Sequence, residues 1–580
     1  MTKLKSIILN LLNYFDKEER RLVFQSIVIG VVVWAIVFAL RHSVEWLFHF
    51  TLSYLEELET GIMLLLVLVP LLAGAALVAA ITQYRAAVIH YRDSDGRIHE
   101  LNDVEGDGLE RAISLYYSSE PTFDQVLQGQ DGVEARWQLP TFTLAIQKFL
   151  ATLITLGSGG SGGLEASVTL IGESTAAGLF KPRSQVTAAQ QKLSLLDRVV
   201  EWWRATDPDD LQTAQLSGIA AAVSVLLGAP FAAAFFATEV MYRKRPIIEK
   251  LLYSLLAALV AFFLTHIFAP GETAMFEVEK LFVPPATPAY YLDIIVMSAL
   301  IALVGIFFGK FHTWGHHAFY HRLPVAWQRH LTGAAITGFI AIGVVLLVER
   351  LQLGDFGLEL VLGTGESVVN VALAGKLTLA VALIALAAKM PATIATIGSG
   401  GSAGLLVPSL FFGTMVAAGM ADFLGVQPMW LIVPGMTAAL VSIVNVPLAA
   451  ILFSVEIFGS AYMIPSLIAL VVTSLLAHNQ TIYRSQRQKY NQRQIMPGVS
   501  SRRIQIPPAW WGQTLVDLDF RNRFDLNVVG LLERHDESGA PRVRLDVSPT
   551  IPLEAGDVLV VLGRDEKLDA LEAFLREVVG

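Results

Sequence analysis

The chain contains no cysteine. Disulfide bonds and thiolate chemistry are therefore excluded, and the redox compartment stays open. Charge is scarce too: 16% of the 580 residues are charged, against about 25% in an ordinary globular protein. The deficit is local, since long stretches carry almost no charge while residues 85–140 and 480–580 are polar. The formal charge of −9 offers no basic surface, so no nucleic acid partner is expected. A secretory signal is also missing: the first apolar run, residues 22–40, is too long for a signal core and no small-residue cleavage site follows. No constellation of nucleophile, base or metal ligands points to an enzyme, and neither a catalytic residue nor a cofactor is foreseen.

What the chain has in abundance is apolar residues, 54% of the total. They recur as segments near 22–49, 62–83, 141–156, 212–240, 249–268, 290–309, 331–349, 371–389, 405–424, 429–457 and 463–477. This is the pattern of an α-helical polytopic membrane protein in contact with lipid. Several segments are shorter than the ~20 residues a helix needs to cross a bilayer, and Gly and Pro interrupt them. Non-helical backbone at membrane depth is tolerated where it is buried in protein or lines a cavity, so broken helices around a transport pathway are expected. Lys3, Lys5, Lys17, Arg20 and Arg21 precede the first segment and place the N-terminus, residues 1–21, in the cytoplasm.

Two elements occur twice in the same order. Gly157-Ser158-Gly159-Gly160-Ser161-Gly162-Gly163 returns as Gly398-Ser399-Gly400-Gly401-Ser402-Ala403-Gly404. Downstream, Ala229-Pro230-Phe231-Ala232 leads to Glu239, and Val446-Pro447-Leu448-Ala449 leads to Glu456, each Glu nine residues after its Pro. Small-residue runs can be mere helix-packing surfaces, but packing explains neither the shared order nor the equal spacing. Duplication of a half accounts for both, with halves at roughly 22–270 and 271–480. Whether the second half is inverted is not a property of sequence similarity. A glycine-rich run before a helix also frees backbone N–H groups at the positive end of the helix dipole, where they hold an anion without a full cation.

Past residue 480 the character changes. Arg484, Arg487, Lys489, Arg493, Arg502 and Arg503 make a basic linker, residues 481–502 and the position after it, suited to a cytoplasmic membrane face. Residues 503–580 show β-type runs at 527–532 and 558–562 and a helical pattern at 567–579, which reads as a small α+β domain.

The run Ile397-Gly398-Ser399-Gly400-Gly401-Ser402-Ala403-Gly404-Leu405-Leu406-Val407-Pro408 resembles the G-[I/V]-F-A-P segment of the CLC chloride channel and transporter family, with Leu406 where that family usually has Phe. Leu362-Gly363-Thr364-Gly365 is similar to the family as well, and the likeness spans roughly residues 60–480. It implies a CLC-type inverted repeat and a homodimer with one anion pathway per subunit. Gly404, Leu405 and Leu406 would bind chloride or another small anion. Gly163-Leu164-Glu165-Ala166-Ser167 is similar to the family's G-[R/K]-E-G-P, which makes Glu165 the gating glutamate. Ionised, it competes for the anion site; protonated, it leaves. The plainer alternative is a glutamate stabilised by a helix N-terminus. The departures at Leu164, Ala166 and Ser167 imply different local electrostatics.

The family's G-S-G-I-P is poorly kept. Its best match is Gly106-Asp107-Gly108-Leu109-Glu110, which puts Asp107 where the family's Ser meets the anion. Asp107 is then protonated, turned away, selective for something else, or an ordinary loop residue. Tyr462 is the candidate for the pathway hydroxyl, with an interfacial tyrosine as the alternative. The position of the antiporters' internal proton glutamate is Val240, as in family channels; Glu239 beside it is a helix-end carboxylate or a proton relay. Four histidines, His312, His316, His317 and His321, have spacings that could bind metal on a helix, but a solvated connecting loop without metal is expected.

Residues 503–580 resemble the RCK-C (TrkA-C) module of potassium-channel regulators, through Trp511-Gly512-Gln513-Thr514-Leu515 and Leu553-Glu554-Ala555-Gly556-Asp557-Val558-Leu559. That likeness implies dimerisation and a small-molecule ligand, or a purely structural clamp. No G-x-G-x-x-G follows a strand, so the nucleotide-binding half of such regulators is missing. The reading is passive, gated anion transport in the inner membrane of a bacterium, both termini cytoplasmic. The alternatives are a proton-coupled anion antiporter and a non-conducting membrane sensor.

Overall fold

The computed structural model describes residues 17–117 apart from 58, 87 and 93–97; residues 136, 139–181, 203–205, 208–241, 248–271, 275–276, 281–477 apart from 355, and 482–483; and residues 493–579 apart from 497–498, 534–541, 546 and 556. Lys3, Lys5, Arg484, Arg487 and Lys489 lie outside the described residues. The described chain forms two compact units, one up to residue 483 and one from residue 493.

The first unit is helical apart from the antiparallel hairpin β1 (Val88–Arg92) and β2 (Ile98–Asn102). Its first half contains α1 (Lys17–Glu56), α2 (Thr60–Leu66), α3 (Leu68–Tyr84), α4 (Leu109–Tyr117), α5 (Phe142–Gly157), α6 (Glu165–Phe180), α7 (Pro208–Leu227), α8 (Pro230–Glu239) and α9 (Ile248–Phe268). The second half contains α10 (Pro288–Arg322), α11 (Ala326–Leu351), α12 (Glu366–Leu373), α13 (Leu379–Gly398), α14 (Leu406–Leu424), α15 (Pro428–Ala439), α16 (Pro447–Phe458) and α17 (Met463–Leu476). Among the described residues, eight helical stretches are long and apolar enough to cross a membrane. The least apolar of them, within α7, is wholly buried in protein, which is why Gln212, Gln215 and Ser217 are tolerated there.

Two long apolar segments are broken where continuous hydrophobicity gave no warning. Segment 212–240 divides at Gly228, whose φ is 66°, and segment 429–457 divides at Asn445, whose φ is 64°. Gly and Asn are the residues that enter this left-handed region at least cost. In each case a proline, Pro230 or Pro447, then occupies the first turn of the next helix, where its missing N–H costs nothing. The histidines at 312–321 are helical, not a loop, because α10 runs unbroken to Arg322. His316 stacks on Tyr320 with ring centroids 4.3 Å apart, and no group of three or more potential metal ligands occurs among the described residues.

The halves are built alike in packing as well as in sequence. Gly172 of α6 faces Gly218 of α7 so closely that a Cβ on either would strike the other's carbonyl oxygen. Gly413 of α14 faces Gly435 of α15 in the same way, a Cβ on Gly413 meeting the Gly435 oxygen at 2.6 Å.

The second unit is a five-stranded antiparallel sheet with order β3 (Arg493–Met496), β4 (Val499–Gln505), β7 (Val558–Arg564), β5 (Asn527–Glu533), β6 (Arg542–Arg544). A short helix, α18 (Phe520–Phe524), and the final α19 (Asp565–Val579) complete the α+β fold. The sheet begins before residue 503, inside the stretch read as linker. Arg502 points inward with Ile504 and pairs with Asp569, 2.6 Å, and Glu572, 3.1 Å, on α19. Its charge belongs to the tail's interior rather than to a membrane face. Arg502→Met is expected to speed amide exchange across β4 about tenfold, the equivalent of ~1.4 kcal/mol lost with its charged hydrogen bonds. Unchanged exchange by mass spectrometry would mean that this ion pair does not hold α19 on the sheet.

Candidate functional site

The two glycine-rich turns meet. Gly163 N donates to the Gly404 carbonyl over 2.8 Å, and Gly404 N donates back to the Gly163 carbonyl. Around this pair several contacts have a mirror. Ser402 N donates to Thr155 Oγ1 and Ser161 N to Thr396 Oγ1, each over 3.1 Å. Thr152 and Ser402 hydroxyls lie 2.9 Å apart, and Ser161 and Thr393 hydroxyls 3.1 Å. Further off, Glu239 accepts from the amides of Leu448 and Ala449 at the start of α16, while Glu456 accepts from Phe231 and Ala232 at the start of α8. Reciprocal pairs of this kind arise when two bodies are related by a two-fold axis. The two halves are therefore related by an approximate two-fold axis. Glu239 has both oxygens engaged as a helix cap, and the neighbouring Val240 is buried at the end of α8.

Glu165 is the first residue of α6 and is only 1% exposed. Its Oε2 accepts from the Val407 amide in the first turn of α14, 3.4 Å away, and its Oε1 has no hydrogen-bond partner among the described residues. The carboxylate thus lies between the N-termini of α6 and α14, where unpaired amides and helix dipoles attract negative charge. Of the three anion-site residues read from sequence, Gly404 spends its amide on Gly163, whereas the amides of Leu405 and Leu406 donate to no group among the described residues. Val407, absent from that reading, supplies the amide that Glu165 uses.

Gly106 and Gly108 flank Asp107 with φ of 71° and 89°; in the other half Gly363 and Gly365 flank Thr364 with φ of 63° and 85°. These turns are counterparts, each gripped by a buried lysine. Lys148 Nζ donates to the carbonyls of Val104, 3.0 Å, and Gly106, 2.7 Å. Lys389 Nζ donates to Val361, 3.0 Å, Leu362, 3.2 Å, and Gly363, 2.8 Å. The sequence reading missed both lysines, although the signal existed: each stands nine residues before its Gly-Ser-Gly-Gly. The Asp107 turn is further anchored by Glu105, which accepts from Tyr320, 2.6 Å, and Arg329, 2.6 Å, and lies 3.0 Å from His330.

Asp107 is buried, and its Oδ1 accepts from the Leu109 amide at 3.1 Å. The tyrosine brought against its carboxyl is Tyr483, which also lies within electrostatic reach of Glu165. Tyr462 is elsewhere: its hydroxyl donates to the Phe282 carbonyl over 2.6 Å and its ring packs edge-on against Phe458. Between Tyr462 and Tyr483 the chain passes through α17 before it returns to the turns. Two helix starts with unpaired amides have a carboxylate between them, and a buried hydroxyl stands beside a second carboxyl; amides at helix starts favour negative charge, and carboxyls can take up protons.

Comparison with known proteins agrees with this geometry. The family described as voltage gated chloride channel matches residues 116–478, and the TrkA-C domain matches residues 499–576. A voltage-gated ClC-type chloride channel of Citrobacter koseri is 26% identical over 361 residues, 59% of this chain and 75% of that protein. A chloride/fluoride channel protein of Pseudomonas syringae is 24% identical over 305 residues, 52% of this chain and 64% of its own length. Among solved structures, a CLC-type fluoride/proton antiporter superposes with a TM-score of 0.58 at 19% identity, covering 81% of this chain and 98% of that one. A slow cyanobacterial Cl−/H+ antiporter superposes with a TM-score of 0.57 at 17% identity, covering 81% and 96%. With the family matched over most of its length, its halves related by a two-fold axis at paired glycine turns and a TrkA-C domain at its end, this chain is a multi-pass membrane protein of the CLC family of chloride channels and transporters.

Proposed function

We propose that the protein is a homodimer that lets chloride or a similar small anion pass down its gradient, one pathway per subunit, with Glu165 as the gate. The observation that carries this reading is the position of the Glu165 carboxylate on the Val407 amide, at the N-terminus of α14. A side chain that occupies an anion's place is a competitor for it. Protonation weakens its hold on the amides and frees the site. Passive transport is favoured over proton antiport because Val240, buried and apolar, cannot carry a proton. The engagement of Glu239 by two amides supports a structural role for that carboxylate.

The proposed setting is the inner membrane of a bacterium with both termini cytoplasmic. The TrkA-C domain would serve there as a dimer clamp or a ligand sensor. Antiport remains the second reading, favoured by the buried carboxyl of Asp107 beside Tyr483. Purified protein in liposomes, with chloride efflux and external pH recorded together, tests this. Chloride efflux without coupled proton movement is expected. Protons driven against their gradient would establish antiport instead, and no flux of chloride, nitrate or fluoride would leave the non-conducting sensor.

A further inference from the structure

We propose that Asp107 is a second carboxyl gate on the same pathway, admitting an anion beside the Tyr483 hydroxyl when protonated and excluding it when ionised. The inference rests on the anion-transport reading above and adds a control that Glu165 alone does not supply.

Three observations carry it. First, Asp107 is 9% exposed, and while Oδ1 accepts from the Leu109 amide at the start of α4, Oδ2 makes no well-formed hydrogen bond among the described residues and has the Tyr483 hydroxyl as its neighbour. Second, a helix cap at this turn does not require a carboxyl. The counterpart in the other half is Thr364, held by the same pair of left-handed glycines, and α12 starts after it with no side-chain cap. The extra oxygen therefore has a use other than capping. Third, Tyr483 lies against Asp107 and within electrostatic reach of Glu165. An anion next to that hydroxyl meets both carboxyls.

The charges around Asp107 do not cancel its own. Glu110 on α4 adds negative charge. Asp103 is paired with Arg111 at 2.6 Å and Glu105 with Arg329 at 2.6 Å. Lys148 on α5 is the cation that faces Asp107 and offsets part of this negative charge, while its N–H donors go to the Val104 and Gly106 carbonyls; one cation stands against the two carboxylates of Asp107 and Glu110. An ionised Asp107 would repel an anion at short range in a site shielded from water. The neutral acid instead offers an O–H donor to the anion, as Tyr483 does. Anion and proton then assist each other's binding by the same factor.

The test uses the full chain in liposomes with chloride as the probe. In Glu165→Gln the first gate is permanently neutral, so remaining pH dependence reports the second. Chloride flux in this variant is expected to fall about tenfold between pH 5 and pH 8, as mass action on a single proton site allows. Adding Asp107→Asn should hold the flux high and flat over that range. Asp107→Ser, which keeps a capping oxygen, should do the same if the Asn variant fails to fold. A flat profile in Glu165→Gln, or a slope that survives both Asp107 substitutions, would overturn the inference and leave the Glu165 gate standing. No flux of any tested anion from wild type or Glu165→Gln would overturn the transport reading and this inference with it. An independent readout is infrared absorption of Glu165→Gln protein at fixed pH. Chloride should increase the protonated-carboxyl band, Asp107→Asn should remove that increase, and no increase in Glu165→Gln itself counts against the inference.

Discussion

Replacing Glu165 by glutamine is expected to raise chloride efflux at pH 8 by about tenfold, equivalent to ~1.4 kcal/mol of competition removed. The amide keeps the size of the carboxyl but not its charge, so its attraction to the N-termini of α6 and α14 falls to that of a neutral acceptor. The sign of the pH effect follows. The wild-type gate holds its site when ionised, so flux is lowest at high pH and rises as protons are added. The variant should lose the part of the pH dependence that Glu165 supplies and keep only the roughly tenfold fall between pH 5 and pH 8 assigned to Asp107. Liposome efflux at matched protein content and several pH values measures this. A variant whose pH profile overlays wild type would remove Glu165 from gating, whatever its position.

A second large effect is expected at a residue that touches no anion in this reading. Lys389→Met should cost about 3–5 kcal/mol, because several buried carbonyls lose their shared donor at once. Lys389 is fully buried, and its ammonium serves the carbonyls of Val361, Leu362 and Gly363. Methionine fills the space but leaves three buried acceptors without a donor, at about 1–3 kcal/mol each before relaxation. A sharp drop in the detergent melting temperature, with most of the protein lost to aggregation, is the expected outcome. A melting temperature within a degree or two of wild type would show that the turn at Gly363 and Gly365 holds without its lysine. Lys148→Met is expected to behave similarly but more mildly, since Lys148 holds two carbonyls instead of three.

Much of the architecture was legible in local pattern. Charge-poor segments broken by Gly and Pro marked membrane helices around a pathway. The doubled glycine run and the doubled Pro-to-Glu spacing marked a repeat. The β-type runs near 527–532 and 558–562 became β5 and β7 of the tail. These signals were readable because they are set within a few residues: a glycine permits a left-handed turn and a proline fits a helix start wherever they fall.

The misreadings share a different cause. Apolarity alone could not show that segment 212–240 turns at Gly228, since apolar residues continue on both sides of the break. The histidine stretch looked like a loop for its polarity, yet a helix end has no need of apolar residues once it passes beyond the core. Tyr462 was chosen for its nearness in sequence to Glu456, while the fold carries Tyr483 to Asp107 across one more helix. Arg502 counted as a surface charge until its partners on α19 were seen.

From the order of its residues alone, this chain was bound to be a duplicated membrane protein with amide-rich helix starts and a small polar tail. Those properties follow from burial, backbone freedom and spacing, which act over short stretches of chain. The two-fold relation of the halves, the closure of Gly163 on Gly404, the seating of Glu165 on Val407 and the meeting of Asp107 with Tyr483 were decided only in three dimensions. Each joins residues hundreds of positions apart, and such contacts are selected by how whole helices pack about the two-fold, not by the preferences of the residues that make them.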